Sequence, residues 1–211
     1  MTAAGYLALV VLAYLIGAIP FGVIVGRVMG GVDVRDYGSG ATGTTNVLRT
    51  AGPKAAVIVL FGDLAKGMVP VLLAWWIVPH SPWAEVLAAI SAVVGHVWPV
   101  YAGFKGGKGS ATGLGVILIM APWVGLIALG VFLAVVALSR YVSLASIVGT
   151  LAMVAGLVAF VLVGSEPWQY LVFAIVGGGI LIFRHKDNVA RLVAGTEHRL
   201  GEKGRRRQGS T

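Results

Sequence analysis

Cysteine is absent from this 211-residue chain, which removes disulfides, thiolate nucleophiles and Cys-ligated metals at once. Charge is scarce too. Asp, Glu, Lys and Arg make up 11% of the residues against 58% hydrophobic, and a mean hydropathy of +0.91 excludes an ordinary soluble domain. Acid is the rarer sign, with 8 Asp and Glu against 16 Lys and Arg and a formal net charge of +8. In a soluble protein that balance would point to nucleic acid. In a chain dominated by apolar runs, the basic residues read as topology signals and anion ligands, and nucleic acid is not an expected partner. No Lys or Arg precedes the first apolar run, and that run is too long for a cleavable signal peptide, so Gly5–Val25 reads as a true first span.

What is present is a series of apolar runs: Gly5–Val25, Ala55–Val78, Glu85–Tyr101, Ser110–Leu138, Val142–Val163 and Trp168–Phe183. All but Ser110–Leu138 approach the length needed to cross about 30 Å of hydrocarbon, two of them at the short end. Ser110–Leu138 is long for one span and short for two. Charge decides it. Apart from Lys66, every Lys and Arg lies at or near Arg27–Lys54, Lys105–Lys108, Arg140 or the stretch from Arg184 to the C-terminus, whereas Val78–Ala84 and Gly164–Pro167 hold none. The positive-inside rule places the first group in the cytoplasm and the second outside. Lys108 and Arg140 then share a side, so Ser110–Leu138 enters and returns, turning at Ala121-Pro122-Trp123. The expectation is an all-α integral membrane bundle of seven transmembrane segments, two of them short, with the N-terminus outside and the C-terminus cytoplasmic. Residues 1–198 form one domain. Residues 199–211 read as a basic, disordered tail lying against anionic headgroups. The connection Arg27–Pro53 is long, polar and rich in glycine, and Pro53 suits the first turn of the next helix.

The stretch Tyr101–Thr112 carries Gly103, Lys105, Gly106, Gly107, Lys108, Gly109, Ser110 and Thr112 between two apolar runs. Successive glycines let backbone N–H groups form a nest for an anion, and a helix starting near Ser110 would aim its positive end at the same place. A flexible basic loop is the competing reading. It is not a nucleotide P-loop, because Ala102 and Gly109 stand where glycine and Ser or Thr are required. Tyr37–Arg49 repeats the theme, with Gly38, Ser39, Gly40, Thr42, Gly43, Thr44, Thr45, Asn46 and Arg49 offering donors for phosphate. Both loops fall on the cytoplasmic side and can face one site.

Asp63 and Lys66 sit inside a span, three apart on one helix face. Buried charge of this kind either fixes helix packing or serves a site. His96 ends its span as a base, a phosphate donor or a satisfied helix-end histidine. Ser143 and Ser146 share a face, where helix packing competes with ligand binding. Beyond the last span, Arg184, His185, Asn188 and Arg191 are more than a basic stop-transfer flank, since His185 and Asn188 share a side. Five positions after His80, His96, His185 and His198 stand Glu85, Tyr101, Ala190 and Lys203, so no HxxxxD pair exists. Neither a GxSxG elbow nor a metal-ligand cluster appears, and no metal or cofactor is expected.

Together, Gly38-Ser39-Gly40…Gly43…Thr45-Asn46…Arg49, Gly62-Asp63…Lys66-Gly67, Gly95-His96…Pro99, Phe104-Lys105-Gly106-Gly107-Lys108-Gly109…Thr112 and Arg184-His185…Asn188…Arg191…Gly195…Glu197 resemble the bacterial membrane acyl-phosphate:glycerol-3-phosphate acyltransferases, the PlsY family. Ala41 and Thr44 depart from that pattern, which usually has asparagine and alanine there. The resemblance implies transfer of an acyl group from acyl phosphate to glycerol 3-phosphate in phospholipid synthesis, at the cytoplasmic face of the cell membrane, with membrane lipid around it. It also implies a functional link to the soluble enzyme that makes acyl phosphate. It assigns Ser39, Lys108, His185 and Asn188 to catalysis. Gly38, Gly40, Gly43, Thr45, Asn46, Arg49, Lys105, Gly106, Gly107, Gly109, Thr112, Ser143 and Ser146 go to substrate binding, with Asp63, Lys66 and His96 as support.

Overall fold

Proline and glycine set the helix boundaries. A computed structural model describes residues 3–202. Among these residues nine α-helices follow in order: α1 Ala3–Gly17, α2 Phe21–Gly30, α3 Thr44–Ile77, α4 Pro82–Val97, α5 Ser110–Met120, α6 Pro122–Ser139, α7 Val142–Leu162, α8 Tyr170–Arg184 and α9 Lys186–Val193. Short 3-10 turns, Val34–Asp36 and Val100–Ala102, interrupt the connections after α2 and α4. Five stretches are long and apolar enough to span a membrane: Ala3–Gly30, Thr44–Ile77, Pro82–Ala102, Pro122–Ser139 and Val142–Leu162. Ser110–Met120 and Tyr170–Arg184 are shorter apolar helices. The chain is a multi-pass, all-helical integral membrane protein.

One sequence-based expectation is refined and one needs correction. The first span, expected over Gly5–Val25, is found as Ala3–Gly30 with a helix break inside it at Ala18–Pro20. Pro20 has no N–H to continue the ladder, and it drives Ile19 out of helical geometry. The freed Ile19 carbonyl accepts from Lys66 Nζ at 2.9 Å. The expected long loop Arg27–Pro53 is largely structured: α3 already begins at Thr44 and kinks at Gly52 (φ 86), and the helix restarts from Pro53. Val47 is fully buried with Val25, Val34, Ala55 and Val59, which explains why those residues coil as a helix.

The break within Ser110–Leu138 falls where expected, at Ala121 before Pro122. Arg140, in left-handed geometry (φ 62), then turns the chain from α6 into α7. Lys108 donates to Asn188, whose amide donates to Glu197, which also accepts from Ser143. Arg140 is three residues before Ser143 and bonds to Leu200. The loop before α5 and the turn after α6 therefore lie at one end of the molecule. The opposite end gathers Tyr6 against Ser81, Tyr170 donating to Glu85, and Trp83 edge-on to Trp168 at 5.5 Å.

Lipid gives helices no hydrophobic reason to associate, so close backbone approach through small residues matters most. A methyl added to Gly67 would lie 2.2 Å from the Thr112 carbonyl oxygen, and one on Gly115 equally close to that of Leu64, so α3 and α5 touch backbone to backbone. Gly17 and Gly95 do the same for α1 and α4. Around these seams a core of Val71, Val93, Val116, Ile117, Leu157 and Phe173 joins α3 to α8. Residues 203–211, the end of the expected tail, lie outside the described residues. Of its beginning, Leu200 is held by its N–H to the Arg140 carbonyl at 2.8 Å.

Candidate active site

The basic end is built from four segments. The loop before α5 brings Lys108, the helix after α8 brings Asn188, the start of α7 brings Ser143, and the chain beyond α9 brings Glu197. Gly195 (φ 68) permits the last of these, since its left-handed geometry reverses the chain after α9. Thr196 N–H then bonds back to the Arg191 carbonyl at 2.8 Å, and Glu197 faces inward.

Glu197 is the hub. Its Oε1 accepts from Ser143 Oγ at 3.0 Å and from Asn188 Nδ2 at 2.8 Å, and its Oε2 accepts from Arg191 Nε at 2.8 Å. Burial pushes its pKa up, but the Asn188, Arg191 and Ser143 donors outweigh it and hold the carboxylate ionised, below its ordinary range. Asn188 Oδ1 is thereby free to accept from Lys108 Nζ at 2.5 Å. Burial lowers the Lys108 pKa to about 8, with Arg191, Arg49 and Arg184 adding to the fall and Glu197 opposing it. The ammonium remains largely protonated at neutral pH. Arg184 reaches the Gly107 carbonyl at 3.3 Å, and Arg49, from the first turns of α3, reaches the His198 carbonyl at 3.3 Å. The buried Nε atoms of Arg49 and Arg184 have no hydrogen-bond partner among the described residues. Such orphan donors are costly unless an incoming acceptor meets them.

His185 caps the end of α8. Its Nδ1 donates to the Leu181 carbonyl at 2.8 Å, leaving Nε2 as an unprotonated acceptor in that tautomer. Burial, reinforced by the Lys108 charge, lowers its pKa to about 4. Ser146 is buried one turn beyond Ser143.

The structure thus unites Lys108, His185, Asn188, Ser143 and Arg49 with Glu197, Arg184 and Arg191. Glu197 was missing from the expected ligands although it stands in the final motif. Its signal was a carboxylate two residues past Gly195 in an otherwise basic stretch. Ser39 and its neighbours form a separate wall. Ser39 is exposed and its amide donates to Asn46 Oδ1 at 3.1 Å. Asn46 is buried and donates to the carbonyls of Val34, Tyr37 and Ala41, so its side chain is engaged in shaping the loop. Gly38 and Gly40 take positive φ within that loop, Gly43 caps α3, and Thr45 lies in the first turn of the helix. Arg35 ties this wall to the other, bonding both Asp33 and the Ala102 carbonyl. Gly106, Gly107 and Gly109 are buried, whereas Lys105 is exposed. Thr112 pairs with His96 Nδ1 at 3.1 Å, and Asp63 with Lys66 at 2.8 Å; both pairs lie inside the bundle.

The chain has counterparts among known proteins. The glycerol-3-phosphate acyltransferase family profile matches residues 7–195. A glycerol-3-phosphate acyltransferase of Synechococcus sp. (strain CC9902) is 45% identical over 199 residues, 94% of this chain and 97% of that protein. Its counterpart from Rubrobacter xylanophilus is 46% identical over 193 residues, covering 92% and 94%. The crystal structure of PlsY (YgiH), an integral membrane glycerol 3-phosphate acyltransferase, in its glycerol 3-phosphate form aligns with a TM-score of 0.86 at 43% identity, covering 93% of this chain and 96% of that one. Its lysophosphatidic acid form aligns with a TM-score of 0.83. The chain therefore belongs to the glycerol-3-phosphate acyltransferase family, and to its PlsY branch.

Proposed function

We propose that this protein transfers an acyl group from acyl phosphate to the 1-hydroxyl of glycerol 3-phosphate, releasing inorganic phosphate and 1-acyl-glycerol 3-phosphate. The observation that carries the proposal is the surplus of half-buried cationic donors at one end of a membrane bundle, two of them with a buried Nε that has no partner among the described residues. Both substrates bear phosphate, and one bears a chain that belongs in lipid. The basic end faces the cytoplasm under the positive-inside rule. The seven segments, counting α5 and α8 as short crossings, then carry the N-terminus to the outside. Acyl phosphate would come from a soluble enzyme on the cytoplasmic side.

Acyl phosphate is an activated mixed anhydride, so strong nucleophile activation is unnecessary. What the protein supplies is neutralisation of two repelling phosphates and alignment, which is worth about 7–11 kcal/mol in well-oriented reactions. Lys108 and the N-terminus of α5 face the donor phosphate, with the Ser39 loop as the facing wall. Arg49, Ser143, Ser146 and Asn188 hold glycerol 3-phosphate. The glycerol oxygen bonds to the carbonyl carbon as the bond from that carbon to the phosphate oxygen breaks, and the departing phosphate takes the hydroxyl proton. With its pKa near 4, His185 is a weaker base than a phosphate whose second pKa is about 6. Its Nε2 instead accepts from the non-reacting 2-hydroxyl and so orients the glycerol, leaving the 1-hydroxyl proton to the phosphate.

The test uses protein purified in detergent with radiolabelled glycerol 3-phosphate and, in turn, acyl phosphate, acyl-CoA and an acyl carrier protein thioester. Product from acyl phosphate alone is expected; product from the thioesters alone overturns the donor assignment. Replacing His185 with Gln separates orientation from base catalysis. A large loss of turnover with unchanged substrate affinity would establish the histidine as the base.

A further inference from the structure

The proposed chemistry leaves without a role a buried polar group next to the glycine loop: Asp63 and Lys66 on α3, His96 on α4 and Thr112 on α5. Lys66 Nζ lies 2.8 Å from Asp63 Oδ1. His96 Nδ1 lies 3.1 Å from Thr112 Oγ1 and 3.6 Å from Asp63 Oδ1. These contacts turn the Nδ1 edge of the ring towards α3 and α5 and leave the Nε2 edge facing the glycine loop. A methyl added to Gly107 would stand 2.2 Å from Nε2 and 2.9 Å from Cε1 of His96. One added to Gly106 would stand 2.1 Å from the His96 carbonyl oxygen, and that oxygen accepts the Gly107 N–H at 3.2 Å. His96 thus grips the two residues before Lys108 from two directions.

We propose that His96 is a positioning residue for acyl transfer, its ring edge and carbonyl seating Gly106 and Gly107 on the end of α4 and so aiming the Lys108 ammonium at Asn188. This rests on the role proposed above for Lys108. Asp63, itself held by Lys66, and Thr112 fix the angle of the ring. Because Lys66 also holds the Ile19 carbonyl at the α1–α2 break, the seating of the loop is tied to four helices rather than one. Ring and loop fit so closely that neither side tolerates added volume, which is why Gly106 and Gly107 are small.

The test is a double-mutant cycle between positions 96 and 107, read by steady-state kinetics in detergent with acyl phosphate and glycerol 3-phosphate, alongside thermal unfolding. His96→Asn keeps a polar group where Nδ1 stands and removes the edge that meets Gly107. It is expected to lower kcat about tenfold with less than about a threefold change in KM for glycerol 3-phosphate. Gly107→Ala alone is expected to cost about 100-fold, but no more than about threefold when added to His96→Asn, because the methyl enters space the ring has left; contacting residues couple in this way. Wild-type kcat in His96→Asn, or an equal cost of Gly107→Ala in both backgrounds, overturns the proposal. If His96→Asn does not fold, Thr112→Val takes its place, with a several-fold loss of kcat expected at an unchanged unfolding midpoint, and full activity overturning. A wild-type protein inactive with acyl phosphate overturns the donor assignment only. The coupling is then read on kcat with the thioester that does serve as donor.

Discussion

Two clusters of charge lie in this bundle, one buried and one half-buried, and they are built on opposite plans. Asp63 and Lys66 neutralise each other at 2.8 Å, as an ion pair without hydrogen-bond alignment at Asp63 Oδ1, and Lys66 donates to the Ile19 carbonyl at the helix break before Pro20. The group closes on itself. The second cluster sets Lys108, Arg49, Arg184 and Arg191 against the carboxylate of Glu197, and two of its guanidinium groups keep a buried Nε with no partner among the described residues. Its charge is in surplus and its donors are unused. Burial of charge does not by itself mark a site; a surplus that only an incoming anion can balance does.

That contrast can be broken by substitutions that should act in opposite ways. The largest expected effect is Lys108→Ala, which should lower kcat by roughly 1,000-fold, at the upper end for a lost electrostatic donor. The unfolding midpoint in detergent should stay within a few degrees. A fully active variant would remove the glycine loop from the site. Lys66→Met should show the reverse, a stability loss of about 3–5 kcal/mol from an uncompensated Asp63. Adding Asp63→Leu should restore most of that loss, as measured by thermal unfolding. If the double variant stays as unstable as the single one, the pair does more than neutralise itself. Arg49→Lys keeps the charge but loses the planar fork, and should raise KM for glycerol 3-phosphate about tenfold, in line with about 1.5 kcal/mol for a charged hydrogen bond. The smallest effect is on pH. Lys108 is charged below its pKa of about 8, so anion binding is retained at neutral pH and lost as pH rises past that value. A kcat/KM profile should fall above pH 8 and stay level just below it.

Much of the site was legible in advance, and the part that was not has a physical cause. Lys108, His185, Asn188 and Ser143 could be named because each stands next to an apolar run, where a polar side chain is conspicuous. The return of Ser110–Leu138 was deduced from the sidedness of Lys108 and Arg140, and the bonds from Lys108 to Asn188 and from Ser143 to Glu197 place both at one end. Asn46 was harder to interpret. Its amide looks like a phosphate donor in a loop of hydroxyls, yet three carbonyls of its own loop take it. Glu197 stood in the final motif with no role assigned to it and became the hub of the cluster. Neither outcome is encoded locally, because each depends on which backbone groups another segment leaves free.

The membrane class, the approximate spans and the basic end followed from the sequence alone, because hydropathy and charge sidedness are properties a residue carries wherever it is placed. The break at Ile19–Pro20, the early start of α3 and the division of the polar residues into a closed pair and an open cluster were decided by tertiary structure. Those outcomes turn on distances of about 3 Å between residues far apart in the chain. A Lys that meets Asp63 and a helix-break carbonyl becomes part of a support. A Lys that meets one amide among four cations remains available to an anion.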